Sequence, residues 1–326
     1  MTILVTGASG HVGGNLVRAL LARGDDVRVL VRGDTAAVEG LPLQQVRGDV
    51  NDRDSLERAM AGIDTVFHLA ATISILGDRG GQVARVNVEG AGMVASAARH
   101  AGVRRFVHMS SCHAFDLDHR PGAIDEHAPR PKPSDPFYNR SKAMGEHAVR
   151  SALAGSVSHV IVNPTGVIGP LDFKPSRMGR FFLALARGHI PALIEGGFDF
   201  VDVRDLVATT LRAAAVGRDG ENYLVGGHYA TVGQVTATAA ASSGRRSPRV
   251  TVPMWLARVG APFMDGYGRT TGREPLYTGE SLHALRAGRI DSGRAIAELD
   301  HEARPLAETV ADVYADFRAR GVLPRA

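Results

Sequence analysis

"TILVTGASGHVGG", residues 2–14, joins a short β-branched run to a helix-like segment through a loop in which Gly7, Gly10 and Gly13 recur at every third position. Glycine permits the tight turn and lets a pyrophosphate approach where a Cβ would stand. It also leaves the free N–H groups of the first helical turn facing the phosphates. Gly7, Ser9, Gly10, His11, Val12 and Gly13 are therefore the expected dinucleotide-binding residues of this loop.

Outward from this stretch the alternation continues. The runs "VRVLV" (27–31), "LQQVRG" (43–48), "TVFHLA" (65–70), "RFVHMS" (105–110) and "HVIVNP" (159–164) read as strands, and residues 12–23, 54–61, 82–100 and 136–153 as helices between them. Such alternation predicts an α/β fold: a doubly wound parallel sheet (Rossmann) covered on both faces, with ligands at the C-terminal strand ends. After residue 170 the pattern loosens. Residues 1–170 are read as the dinucleotide-binding domain and 171–326 mainly as a smaller C-terminal substrate lobe, interleaved with the first domain around 200–225.

The 326 residues carry a formal charge of +4 and a pI near 9.5, with basic side chains scattered rather than gathered in a stripe. This favours an anionic small ligand, and no nucleic acid is expected. Cys112 is the sole cysteine, which excludes an internal disulfide and fits a reducing compartment. The first residues lack the basic and apolar regions of a secretory signal. No run reaches the roughly 18 apolar residues that span a bilayer. A cytoplasmic protein without a membrane partner is the expectation, and a homodimer is left open.

The kind of dinucleotide depends on the tip of the second strand, where a carboxylate would hold ribose hydroxyls. Here the strand ends Val31-Arg32-Gly33, with no carboxylate before Asp34. Arg32 suits a 2′-phosphate through forked, charge-assisted hydrogen bonds, so NADP(H) is favoured and NAD(H) is the alternative. Asp49 and Val50 in "GDV" are placed beside the adenine, Asp49 having the second role of capping the next helix. Leu69, Ala70 and Ala71 end the fourth strand with the small side chains a cofactor floor requires.

Only three of the 38 basic side chains are lysines. One of them, Lys142, follows Tyr138 by four residues in "FYNRSK", which puts both on one helical face. A Tyr with Lys four residues on is expected by chance roughly 0.06 times in a chain of this composition. Ketone reduction needs hydride at carbon and a proton at oxygen, and a phenol titrating near 10 is sluggish at neutrality. A nearby ammonium would lower that pKa and hold ribose hydroxyls as well. Of the paired serines at the end of the fifth strand only one can face the site. Ser111 is chosen for the substrate oxygen, and Ser110 is left to the backbone or cofactor.

Taken together, "TGASGHVGG", "GDV", "HLAA", "NVEG", the paired serines followed by "FYNRSK", and "VNPTGVIGP" resemble the extended short-chain dehydrogenase/reductase family over at least residues 1–210, nearest its dihydroflavonol-reductase-like branch. A bacterial sugar-epimerase group is similar in the same segments. The resemblance implies that Ser111, Tyr138 and Lys142 form the catalytic triad and that Asn87 supports a proton path and a helix bend. It also implies Pro164, Thr165 and Val167 near the nicotinamide carboxamide.

Within that family Arg32 points to a reductase drawing on NADPH, whereas epimerases and dehydratases keep NAD and return the hydride. Nucleotide-sugar members place an Arg just before the segment aligned with "DFVDV", where this chain has Phe198; Arg177 or Arg180 could substitute. The expected function is NADPH-dependent reduction of the carbonyl of a largely apolar or aromatic small molecule. A nucleotide-sugar epimerase or dehydratase is the alternative, and an NADP-binding regulator without turnover a minor one. His113, Phe115, Phe137, Asn163, Phe173 and Phe198, with Ser111, are assigned to the substrate pocket. Trp255, Phe263, Met264 and Tyr267 are read mainly as lobe core. No metal is expected, since His113, His119 and His127 match no compact ligand spacing. Cys112 is read as a small buried residue, not a nucleophile.

Overall fold

The computed structural model describes residues 1–118, 122–271 and 277–324. Its framework is a set of strands, the central ones apolar on both faces and the edge strand at 44–47 largely exposed. These are β1 (Thr2–Thr6), β2 (Asp26–Val31), β3 (Gln44–Arg47), β4 (Thr65–His68), β5 (Arg105–Met109) and β6 (Ser158–Pro164). The chain then leaves the sheet through β7 (Gly166–Ile168), β8 (Leu193–Ile194) and β9 (Gly197–Asp202), and returns with β10 (Asn222–Val225). The seven strands run in the order β10-β6-β5-β4-β1-β2-β3, every pair parallel. Chain direction across the sheet reverses between β1 and β4, which opens the crevice where such sheets bind ligands.

Alternate residues send their side chains to opposite layers. Val5, Val29 and Val107 pack against α1 (His11–Ala22) and, later in the chain, against Leu206; Leu4, Val66 and Phe106 face α2 (Arg53–Met60) and the helices that follow. Burial of each such side chain contributes roughly 1.5–3 kcal/mol, on both faces of the sheet.

The helix expected over 82–100 is interrupted. It begins as α3 (Gln82–Ala84), passes through a π turn at Arg85–Gly90, and continues as α4 (Ala91–His100). The π turn lies against α5 (Phe137–Leu153) with no room to spare: a Cβ on Gly145 would stand 2.3 Å from the carbonyl oxygen of Asn87.

Beyond β6, α6 (Arg177–Ala186) and α7 (Val203–Val216) flank β9. The stretch 222–231 is divided between two sheets. β10 forms the edge of the main sheet, while β11 (His228–Thr231) pairs antiparallel with β9 in a small lobe sheet. The lobe adds α8 (Val232–Ser243), β12 (Thr251–Val252), α9 (Met254–Thr271), α10 (Gly279–Ala284), α11 (Gly293–Leu299) and α12 (Leu306–Ala319). Its core is Phe182, Leu183, Phe198, Phe200, Tyr314 and Phe317, and Tyr314 Oη donates to the Phe182 carbonyl at 3.0 Å. Trp255 and Phe263 are outside this core: both are exposed on α9, which corrects their reading as lobe interior. The side chains of Met264 and Tyr267, and all of His119, lie outside the described residues.

Candidate active site

The glycine loop is shaped by backbone contact. A Cβ on Gly7, where φ is 75°, would stand 2.6 Å from Ala70 N, and one on Gly13 would stand 2.2 Å from Gly7 O. The loop therefore presses on the end of β4, with Leu69 and Ala70 half-buried and Ala71 exposed. Thr6 Oγ1 fastens the two strand ends, accepting from Ala70 N at 3.3 Å and meeting His68 Nδ1 at 2.7 Å. Gly10 caps α1 with no side chain of its own and is exposed, so no side chain occupies the cap of that helix. These features fit a pyrophosphate. Ser9 is half-buried beside them, and Val12 packs partly on the core. His11 points elsewhere, with Nε2 3.0 Å from the Pro170 carbonyl.

At the tip of β2, Arg32 is exposed and its guanidinium lies 3.4 Å from Asp49 Oδ2. Asp49 accepts from Asn51 N at 2.9 Å, but the cap of α2 is Asp52, so the capping role considered for Asp49 belongs three residues on. Val50 is buried under the π turn at Gly90. Another of the three lysines also lies here. Lys174, from the segment that enters the lobe, reaches to within 3.6 Å of Asp34 Oδ2 and brings a second cation to the strand end that carries Arg32.

The residues expected to react are presented by the end of β5 and by α5. Ser111, which follows β5, is buried and accepts from His113 N at 3.3 Å, and Tyr138 is half-buried in the first turn of α5. One turn along α5, Lys142 is buried and donates to the Met109 carbonyl at 3.3 Å. One turn further, Glu146 is buried as well, and this residue sequence reasoning missed, although Tyr138, Lys142 and Glu146 form one i, i+4, i+8 row. Glu146 accepts from Asn163 at 2.7 Å and Asn222 at 3.0 Å, and pairs with Arg130 at 2.8 Å. Asn87 touches neither Tyr138 nor Lys142 in the hydrogen bonds it makes: Nδ2 donates to Thr72 O and Ser141 Oγ at 3.0 Å, and Oδ1 accepts from Thr72 N at 2.7 Å. It holds the π turn, the loop after β4 and α5 together.

Burial sets the electrostatics. Lys142 is brought down to about 8, with the carboxylate of Glu146 opposing the fall. Tyr138 moves above its usual range, because burial raises it. This corrects the expectation that Lys142 lowers the phenol: its ammonium donates to the Met109 carbonyl. Cys112 is pushed up to about 12 by burial and stays a thiol.

The proposed pocket residues divide into two groups. His113 donates from Nδ1 to Asn139 Oδ1 at 3.1 Å, meets the Tyr138 ring edge-on at 5.5 Å and stacks on Phe198 at 5.7 Å. Burial lowers its pKa to about 4, so it is a neutral imidazole at neutrality. Phe115, by contrast, is 0% exposed beneath Arg130, whose guanidinium lies 4.4 Å from its ring; it is a core residue and its substrate assignment is corrected. Asn163 is equally enclosed, donating to Ser111 O and Glu146, and belongs to the support of the site. Phe173 is held between Arg18 and Arg320, at 4.8 and 4.9 Å, and Phe137 packs beneath Arg140 at 5.1 Å. Both rings are half-buried and engaged by arginine. Pro164 ends β6, Thr165 is buried and Val167 half-buried on β7. Among the described residues no three His, Cys, Asp or Glu side chains come together as metal ligands, and no helix is long and apolar enough to cross a membrane.

Comparison with known proteins agrees with this architecture. Residues 3–226 match the model of the NAD dependent epimerase/dehydratase family. Sterol demethylase protein B of Methylococcus capsulatus is 41% identical, the alignment covering 99% of this chain and 100% of that protein. A putative dihydroflavonol 4-reductase of Synechocystis is 31% identical over 97% of this chain and 94% of its own. The crystal structure of gox2253, 31% identical, superposes with a TM-score of 0.86 over 98% of each chain.

Proposed function

The chain belongs to the NAD dependent epimerase/dehydratase family, the extended short-chain dehydrogenases/reductases, and from that premise we propose that it is an NADPH-dependent reductase of a ketone or aldehyde on a largely apolar small molecule. The observation that carries the reading is the placement of Tyr138 one turn before the buried Lys142 on α5, with Ser111 buried directly after β5. A reduced nicotinamide bound along the glycine loop supplies hydride for the carbonyl carbon. Tyr138 then donates its proton to the carbonyl oxygen, and Ser111 holds that oxygen while the charge develops. Lys142 stands one turn away as an ammonium at neutral pH, placed to hold ribose hydroxyls.

Two further features support the cofactor and substrate. Arg32 and Lys174 flank the tip of β2, where a 2′-phosphate would sit in place of the carboxylates that now pair with them. Phe198, at the place of the diphosphate-binding Arg, is buried in a stack with His113, which favours apolar over nucleotide-sugar substrates. The names of the two relatives point to a sterol and a dihydroflavonol, both multi-ring molecules without a nucleotide.

The test is Tyr138→Phe. Turnover of an aryl or steroid ketone with NADPH should fall by about 10²- to 10⁴-fold while NADPH affinity stays at the wild-type level. Unchanged turnover would remove Tyr138 as the acid, and tightly bound NAD in the purified protein would return the epimerase reading.

A further inference from the structure

α9 turns an apolar face outward. Ala257 and Ala261 are buried with Leu282 on its inner side. On the outer side Trp255, Val259 and Phe263 lie four residues apart and are 67%, 61% and 80% exposed. Leu256 is exposed beside them, and so is Val250 just before the helix. Single exposed hydrophobics are ordinary, but a continuous row on one helical face marks an interaction surface.

The charge around this face is mainly positive, with the exposed Glu195, which accepts from Met254 N at 3.3 Å, as the carboxylate at its N-terminal end. Residues 244–264 include Arg245, Arg246, Arg249 and Arg258 and no acidic residue, and all four arginines are exposed. No ion pair among the described residues engages them, whereas Arg204, Arg218, Arg294, Arg304 and Arg320 are all paired with carboxylates. Large apolar side chains bordered by unpaired arginines form the pattern of a helix that lies in a membrane interface, with its apolar side among the acyl chains and its cations at the headgroups.

We propose that α9 and the arginine-bearing segment before it dock the protein on the surface of an anionic lipid bilayer. A second copy of this chain is the weaker occupant: a two-fold contact sets the same patch against itself, which would oppose the four arginines to their own image. The absence of a long apolar run, read from sequence as no membrane partner, concerns spanning only. An interfacial helix needs no such run. The proposal stands on surface observations alone, independently of the reaction catalysed.

Trp255 is the only tryptophan of the chain, so its emission reports on this face directly. The full chain would be titrated with vesicles of phosphatidylcholine alone and of phosphatidylcholine with phosphatidylglycerol. The expected result is a blue shift and co-sedimentation with the anionic vesicles, weakened by salt. Arg245→Gln/Arg246→Gln/Arg249→Gln should bind those vesicles roughly a hundredfold more weakly. Val259→Asp/Phe263→Asp, which retains the Trp probe, should abolish the shift with an unchanged melting temperature. Equal response to both vesicle types would overturn the anionic assignment. Emission that ignores vesicles altogether would overturn the proposal, as would emission that changes with protein concentration alongside a dimeric mass.

Discussion

α5 and α9 are the longest helices among the described residues, 17 and 18 residues, and they depart from ordinary burial in opposite directions. α5 buries Lys142 and Glu146, whereas α9 exposes Trp255, Val259 and Phe263. A buried ammonium costs stability even where its charge has a use, and an exposed apolar row costs solubility unless something covers it. The two anomalies also differ in completeness. The charges of α5 are met by Met109, Arg130, Asn163 and Asn222 within the fold, while nothing among the described residues meets the outer face of α9. An anomaly satisfied internally belongs to chemistry done inside, and one left open belongs to a surface.

Replacing the buried ammonium breaks that comparison most sharply. Lys142→Met should lower kcat/KM for reduction by about 10³-fold, read in steady-state assays with NADPH. It should at the same time raise stability, because wild type forces a lysine that titrates at 10.5 when unfolded down to about 8 when folded. Between these two values the unfolded chain binds more protons, so wild-type stability rises with pH across this window. The advantage of Met, about 1–3 kcal/mol at pH 7, should therefore shrink as pH climbs from about 8 towards 10.5, which denaturant melts at a series of pH values would follow. A variant that lost stability would mean that Lys142 is structural.

Glu146 sharpens the same side of the comparison. Its carboxylate opposes the fall in the pKa of Lys142, so Glu146→Gln should shift the alkaline limb of the pH–rate profile, near pH 8 in wild type, to lower pH. An unmoved limb would assign it to another group. The same variant weakens the contact with Arg130 and should cost about 1–3 kcal/mol, discounted from a fully buried pair because Arg130 is half open to water.

The α5 side was largely legible in the sequence, and α9 was not. Strand alternation, the glycine loop and the Tyr138–Lys142 spacing each follow from a local rule: a period, a turn, or one helical face. Glu146 obeyed the same spacing, but its meaning depends on Asn163, Asn222 and Arg130, which come from distant segments. Phe115 and Phe198 look alike as aromatic residues near the site motifs. Only tertiary packing shows that one lies beneath Arg130 and the other forms a stack with His113. For Trp255 and Phe263, apolar composition argued for core, because a helix with large side chains on both sides does not reveal which one faces the protein. Small Ala257 and Ala261 prove to be the inward side.

Smaller effects separate the two cations at β2. Arg32→Ser and Lys174→Met should each weaken NADPH binding by about tenfold and leave NADH binding within about twofold, because a charge-assisted contact to an exposed phosphate is worth about 1.5 kcal/mol. Isothermal titration with both cofactors reads the ratio. If wild type prefers NADH, the cofactor assignment fails. If wild type prefers NADPH and Lys174→Met keeps the ratio, only the part given to Lys174 fails.

The smallest expected change lies on α9 and is the strictest test of the contrast with α5. Trp255→Gln and Phe263→Gln remove large apolar side chains, yet both residues are mostly exposed and face away from the core of Ala257, Ala261 and Leu282. Each should therefore alter unfolding free energy by no more than about 0.5 kcal/mol, measured by denaturant melts without lipid, where a core Trp or Phe truncation would cost about 3–5 kcal/mol. Turnover of a water-soluble ketone should be equally unaffected, since neither side chain contacts α5. A loss of about 2 kcal/mol would show that the face is already covered by the chain itself, and the distinction between an anomaly satisfied inside and one left open would fail at α9.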